Sequence, residues 1–102
     1  MSKVSLEEQV GEALYEVIDP ELNMNIMDLG LVYMVQVKEN SEVYVRLTLT
    51  TPGCPLHDTI VGGVETVLYS TDEVQNVEVD LVWTPAWTPD KMSRRAKEML
   101  MF

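Results

Sequence analysis

This chain has little cysteine, little histidine and little positive charge. Its single cysteine excludes an intramolecular disulfide, and it also excludes a structural zinc site or a cluster held by several thiolates of one chain. It has 7 Lys and Arg against 17 Asp and Glu, and the net charge of −10 argues against nucleic acid or an anionic membrane as a partner. No apolar run approaches the roughly 18 residues of a membrane span, and the polar start MSKVSLEEQ is unlike a signal peptide, so we expect a cytoplasmic protein.

The length and the apolar content are those of one domain. With 102 residues, 46% of them hydrophobic, the chain can build a core between two layers, so we predict a single domain over residues 1–102. The charge is uneven: residues 1–90 hold three basic and sixteen acidic residues, net −13, whereas residues 91–102 hold four basic and one acidic, net +3. We interpret the end of the chain as a basic helix that lies on an acidic body, either its own or that of a second copy.

Hydrophobic periodicity and turn signals predict the elements. The first helix begins at a capping box formed by Ser5 and Glu8. It is expected to end near Ile18, because Pro20 disfavours helix at Asp19. The further elements are two strands of a hairpin at 31–38 and 43–50, a helix over about 55–70, a strand at 77–83, and a final helix that Ser93 caps and that extends to about residue 100.

The order α-β-β-α-β-α predicts an α/β fold, more closely an α+β domain of two layers. The hairpin makes the first two strands antiparallel, and the helical crossover makes the second and third strands parallel. We therefore expect a small mixed three-stranded sheet covered by helices.

These connections bring three segments to one edge of the sheet. The first is the acidic turn that contains Asp19 and Glu21, the second is the loop from Thr51 to Cys54, and the third is the loop that contains Trp87. Ligands of open α/β sheets favour the carboxyl ends of strands. The sequence therefore predicts a functional edge made of Asp19, Glu21, Thr51, Cys54 and Trp87.

Cys54 stands just before a predicted helix, where free amides and the helix dipole favour a thiolate. The alternative is that it is a small buried hydrophobic residue. His57 follows one helical turn later and could be a second metal ligand with Cys54, or it could be solvated.

The other residues of the edge also have two interpretations. Asp19 is predicted to cap the turn at Pro20, with an acid–base role as the alternative. Glu21 has less structural reason to be there and is the better functional candidate. Trp87 is a packing residue or part of a docking surface for a partner.

Four ordered motifs resemble the SufT/PaaD-like family, small proteins of the iron–sulfur cluster assembly (FSCA) domain superfamily. Residues 19–22 are similar to its D-P-E motif, residues 26–32 to I-x-x-L-G-L-V, residues 48–55 to T-x-T-x-x-x-C-P, and residues 87–93 to W-x-P-x-x-M-S. The resemblance implies a two-layer α/β domain that works in the maturation of iron–sulfur proteins, with Glu21 and Cys54 as the functional residues. The chain lacks the extra C-terminal cysteines of paralogues in phenylacetate degradation, which favours the assembly branch.

The resemblance thus predicts a non-catalytic maturation factor whose edge docks client or scaffold proteins. Cys54 would be a transient metal ligand, no cofactor would be stably bound, and iron or an iron–sulfur cluster would be held only in passing, with two copies able to supply two thiolates across a homodimer. One alternative is an accessory subunit of a multicomponent oxygenase for aromatic acyl-CoA. Another is a thiol-dependent enzyme with Cys54 as the nucleophile, although nothing in the sequence requires an enzyme.

Overall fold

A computed structural model describes residues 5–50, 54–71 and 73–101, with the backbone alone described at 54–56. Its elements in chain order are α1 (Leu6–Leu14), β1 (Ile18–Asp19), β2 (Met24–Asn25), β3 (Val32–Val37), β4 (Glu42–Leu47), α2 (Cys54–Tyr69), β5 (Asn76–Leu81), a 3-10 helix (Pro89–Lys91) and α3 (Arg94–Leu100). The predicted α-β-β-α-β-α order is confirmed. The two-residue strands β1 and β2 are an additional antiparallel pair.

The main sheet has the order β3-β4-β5 and is mixed, as predicted. β3 and β4 are antiparallel, whereas α2 carries the chain over the sheet so that β5 runs parallel to β4. β3 is therefore the edge strand on the antiparallel side of the sheet. Its pairing with β4 is irregular between Val32 and Met34.

The core lies between the sheet and the helices. In β4, Val43, Val45 and Leu47 are buried and the residues between them are partly exposed, which is the alternation expected of a strand with one covered face. From α2, Ile60, Val64 and Leu68 are fully buried at helical spacing. Burial of each such side chain contributes about 1.5–3 kcal/mol, so this interface stabilises the two-layer arrangement.

The predicted end of α1 is wrong. The helix begins as expected, with the Ser5 hydroxyl accepting a hydrogen bond from the Glu8 N–H at 3.2 Å, but it ends at Leu14 rather than near Ile18. Proline at position 20 favours extended backbone at Asp19, the second residue of β1. Ile18 is the first residue of β1 and is 46% exposed, so it does not continue the buried stripe of the helix.

The ends of the main strands meet at one edge of the sheet. β4 and β5 end at Leu47 and Leu81, earlier than predicted, and these two residues are paired in register. The Thr48 N–H donates to the carbonyl of Leu31 at 2.9 Å, and the Val82 N–H donates to the carbonyl of Leu47 at 2.9 Å. The start of β3 and the carboxyl ends of β4 and β5 are therefore adjacent, as the topology predicts.

The C-terminal segment is attached by apolar burial. Met92 and Ala96 are buried, and the Ser93 hydroxyl caps α3 by accepting from the Ala96 N–H at 3.1 Å. Within the described residues, the ion pair of this helix is internal, between Arg94 and Glu98 at 3.4 Å. The basic helix therefore lies on the body of its own chain, with Met92 and Ala96 in the apolar core.

None of the helices in the described ranges is long and apolar enough to cross a membrane.

Candidate functional site

Asp19 organises the acidic turn. It is fully buried at the end of β1, and its Oδ1 accepts hydrogen bonds from the backbone N–H groups of Glu21 at 2.8 Å and Leu22 at 3.2 Å. The Asn23 N–H donates to the backbone carbonyl of Asp19 at 2.7 Å. These bonds confirm the predicted capping role, because one carboxylate oxygen satisfies two amides of the turn.

Capping does not account for the second carboxylate oxygen of Asp19. Oδ2 is buried and has no hydrogen-bond partner among the residues that the structure describes. Buried polar atoms are nearly always hydrogen-bonded, so this oxygen is an exception that the hydrogen bonds of the turn do not satisfy.

Glu21 lies on the same turn and is exposed. Its backbone is fixed by the hydrogen bond to Asp19, so the position of its carboxylate depends on Asp19. The capping of the turn by Asp19 is as predicted, whereas the functional role of Glu21 stays a prediction.

Cys54 is the first residue of α2, which places its backbone at the positive end of the helix dipole. Its side chain, and all of Thr51, lie outside the described residues, so the predicted thiolate and the predicted role of Thr51 stay predictions. His57 is described and is exposed on the first turn of α2. In the described part of the chain, no three His, Cys, Asp or Glu residues are grouped to hold a metal ion.

Trp87 is a packing residue that ties two segments together. Its indole Nε1–H donates to the carbonyl of Leu29 at 2.6 Å, and the ring packs against the core. Trp83, by contrast, is 47% exposed. Of the two tryptophans of the chain, Trp83 is the one that is more exposed to solvent.

Contacts are seen for only some of the three segments that were predicted to share the edge. Trp87 reaches the turn before β3 directly, and α2 runs against the chain just before β1, where a Cβ added to Gly63 would lie 3.2 Å from Cγ1 of Val17. The acidic turn and α2 are thus neighbours. The shared site of Glu21 and Cys54 stays a prediction.

Thr48 is a candidate that the sequence analysis did not single out. It follows β4, where alternation would place it on the polar face, yet it is only 1% exposed and its Oγ1 has no hydrogen-bond partner within the described ranges. Its backbone N–H is held by the carbonyl of Leu31. The signal in the sequence was its place in the T-x-T segment that leads to Cys54.

Comparison with known proteins gives a consistent result. Residues 7–81 match a family model described as "Iron-sulfur cluster assembly protein". The chain is 47% identical over 93 residues to the "Fe-S protein maturation auxiliary factor YitW" of Bacillus subtilis, and the match covers 91% of each protein. It is 51% identical over 81 residues to the "Fe-S protein maturation auxiliary factor SufT" of Staphylococcus aureus, covering 79% of this chain and 92% of that protein.

The fold also matches a solved structure. A crystal structure of a domain of unknown function from Bacillus anthracis superposes with a TM-score of 0.89 at 42% identity, covering 95% of this chain and 92% of that one. Both the family model and the structural match span the acidic turn, the main sheet and α2.

Proposed function

Since this chain belongs to the iron–sulfur cluster assembly protein family, we propose that it is a non-catalytic maturation factor that helps other proteins acquire iron–sulfur clusters. The observation that carries the proposal is the match to maturation auxiliary factors over nearly the whole length of both proteins.

In this proposal, iron or a cluster is cargo, and the chain contributes few of its ligands. The chain has one cysteine, so it supplies at most one thiolate, and the remaining ligands come from a client, a scaffold or a second copy. The position of Cys54 at the start of α2 favours its thiolate form. Cargo held by one thiolate of the chain passes readily to a client that offers several.

The acidic turn has a different part in the proposal. Asp19 fixes the backbone of Glu21, and Glu21 presents a carboxylate at the surface. We assign to Glu21 the contact with a client or with the iron that the client is receiving. Asp19 is then a positioning residue, because it acts through the turn.

Deletion of the gene in its own host tests the role. We expect lower activity of an iron–sulfur dehydratase at unchanged amounts of that enzyme, restoration by the wild-type chain on a plasmid, and no change in an enzyme without a cluster. Normal activity of iron–sulfur enzymes under iron limitation would contradict the proposal. Loss of growth on an aromatic acid, with iron–sulfur enzymes intact, would instead favour the oxygenase accessory role.

A further inference from the structure

A cleft of about 520 Å³ lies beside the edge strand β3, away from the acidic turn. Val32, Tyr33 and Met34 of β3 form one side of it, Arg46 of β4 lies within it, and Pro85 and Lys91 of the C-terminal segment close the other side. Its volume is in the range of ligand sites, which is roughly 300–1,000 Å³.

The lining of this cleft is positively charged in a strongly acidic protein. Arg46 and Lys91 both line it, and none of its lining residues is acidic, although the chain has 17 acidic residues and 7 basic ones. An excess of cations at one concave place on such a chain favours an anionic group as the ligand.

Arg46 is held in position by its neighbours on the sheet. Its Nε donates to the Tyr44 hydroxyl at 3.0 Å and lies 3.8 Å from Oδ2 of Asp80, while its side chain stays 42% exposed. The Tyr44 hydroxyl in turn donates to the same Asp80 oxygen at 2.7 Å. The hydrogen bond and the ion pair of Arg46 are made through Nε, the inner nitrogen, and its Cζ lies 5.6 Å from the centre of the Tyr44 ring. A ligand in the cleft would meet the outer nitrogens of the guanidinium group.

Lys91 is positioned from the opposite side. Its Nζ lies 5.1 Å from the centre of the Tyr33 ring, within the range of a cation–π contact. The Tyr33 hydroxyl donates to the carbonyl of Pro85 at 2.8 Å, and desolvation raises the pKa of Tyr33 above its ordinary 10.0, so the hydroxyl keeps its proton. Gly30 packs directly against the backbone of Lys91, which fixes that residue to the turn before β3.

The cleft also has an apolar part. Met34, which is 44% exposed, and Pro85 both line it, and Trp83, two residues before Pro85, is 47% exposed. A ligand that carried only charge would leave this surface uncovered, so the cleft fits a group in which an anion stands next to an apolar side chain.

We propose that this cleft binds a peptide segment of a partner protein in which a carboxylate side chain is next to an apolar side chain. The carboxylate lies between Arg46 and Lys91, and the apolar side chain lies against Met34 and Pro85. A segment of polypeptide fits because three consecutive residues of the edge strand line the cleft, so the ligand can extend along β3. A polyphosphate chain fits poorly, because the net charge of −10 repels every phosphate beyond those that two cations neutralise.

This inference rests on the proposed function in one respect, namely that a maturation factor docks on other proteins. The test uses the purified full chain and a rhodamine-labelled peptide, Gly-Leu-Asp-Leu-Glu-Leu-Gly, with binding followed by fluorescence anisotropy. The matched peptide Gly-Leu-Asn-Leu-Gln-Leu-Gly has the same shape without the charge. We expect the Asn/Gln peptide to bind at least about tenfold more weakly than the Asp/Glu peptide. The affinity for the Asp/Glu peptide should fall as the salt concentration rises from about 0.05 M to about 0.5 M.

Substitution of Lys91 locates the site. Lys91→Gln should weaken binding of the acidic peptide about fivefold, whereas Lys91→Arg should keep most of the affinity. Lys38→Gln is the matched control, because Lys38 is an exposed cation just beyond the far end of β3, and its loss changes the net charge equally. We expect Lys38→Gln to bind like the wild type.

Three results would overturn the inference: equal binding of the two peptides, an affinity that Lys91→Gln leaves unchanged, or an equal loss in Lys38→Gln. Free glutarate that competed as well as an unlabelled acidic peptide would also overturn it, since a small carboxylate would then be the ligand. Cys54→Ser should bind the peptide normally. A negative result in the peptide-binding test therefore does not contradict the maturation role. If the maturation role is contradicted in cells, peptide binding by the purified chain can still be measured.

Discussion

The indole of Trp87 donates a 2.6 Å hydrogen bond to the backbone carbonyl of Leu29, and this bond ties the loop after β5 to the turn that precedes β3. Ser93 adds a second connection, because its N–H donates to the carbonyl of Asp28 at 2.7 Å. The C-terminal segment is thereby fixed to the turn before β3, and both contribute to the charged cleft, through Gly30 and Lys91.

Replacement of Trp87 should loosen that attachment. Trp87→Phe keeps an aromatic ring but leaves the Leu29 carbonyl without its donor, so we expect a loss of about 1–2 kcal/mol in the free energy of unfolding. Urea denaturation followed by circular dichroism measures it. Trp83→Phe is the matched control, because Trp83 is largely exposed, and it should change stability by less than about 0.5 kcal/mol. Equal effects of the two substitutions would contradict the anchoring role.

Gly30 should not tolerate a side chain. Its φ is +76°, and a Cβ there would collide with the backbone carbonyl of Lys91. Gly30→Ala should therefore cost at least about 2 kcal/mol, from left-handed backbone strain together with overpacking. Gly11→Ala is the control: Gly11 is inside α1 with open space around it, and alanine there should stabilise the protein by about 0.5–1 kcal/mol. Thermal unfolding of the two variants should thus shift in opposite directions, and a stable Gly30→Ala protein would refute the close approach.

Asp19 should matter for stability through the turn that it caps. Asp19→Ala removes the acceptor of two backbone amides and should cost about 1–2 kcal/mol. Asp19→Asn keeps one acceptor oxygen and should cost less than the alanine variant. The free energies of unfolding in urea give the order directly, and an alanine variant as stable as the wild type would show that the turn does not depend on this side chain.

The main sheet and its helices could be predicted from the sequence because each carries a long periodic signal. Val43, Val45 and Leu47 alternate in β4, and the buried residues of α2 repeat at helical spacing, so side-chain burial alone indicates both elements. The pair of β1 and β2 has only two residues in each strand, which is too short for periodicity. It is stabilised by contacts across the turn, including the bond from the Ile26 N–H to the carbonyl of Val17 at 3.0 Å.

Two features around the candidate site could be predicted. Strand directions predicted which strand ends share an edge of the sheet, and the turn chemistry of Asp19 and Pro20 predicted the cap. The shared site of Glu21 and Cys54 stays a prediction. The burial of Thr48 was not predictable, because alternation stops where β4 ends at Leu47. The cleft could not be predicted either, since Arg46 and Lys91 are far apart in sequence and meet only through the irregular start of β3 and the C-terminal segment.

We propose that Cys54 and Glu21 serve iron–sulfur maturation and are not needed for folding. The most direct test expresses Cys54→Ser and Glu21→Gln in a strain that lacks the chain, at protein levels matched to the wild type. Glu16→Gln is the control, because Glu16 is an exposed carboxylate just after α1. Under iron limitation, we expect Cys54→Ser to leave iron–sulfur dehydratase activity as low as in the strain without the chain. Glu21→Gln should restore less activity than the wild-type chain does, and Glu16→Gln should restore as much. Full restoration by Cys54→Ser would contradict this proposal.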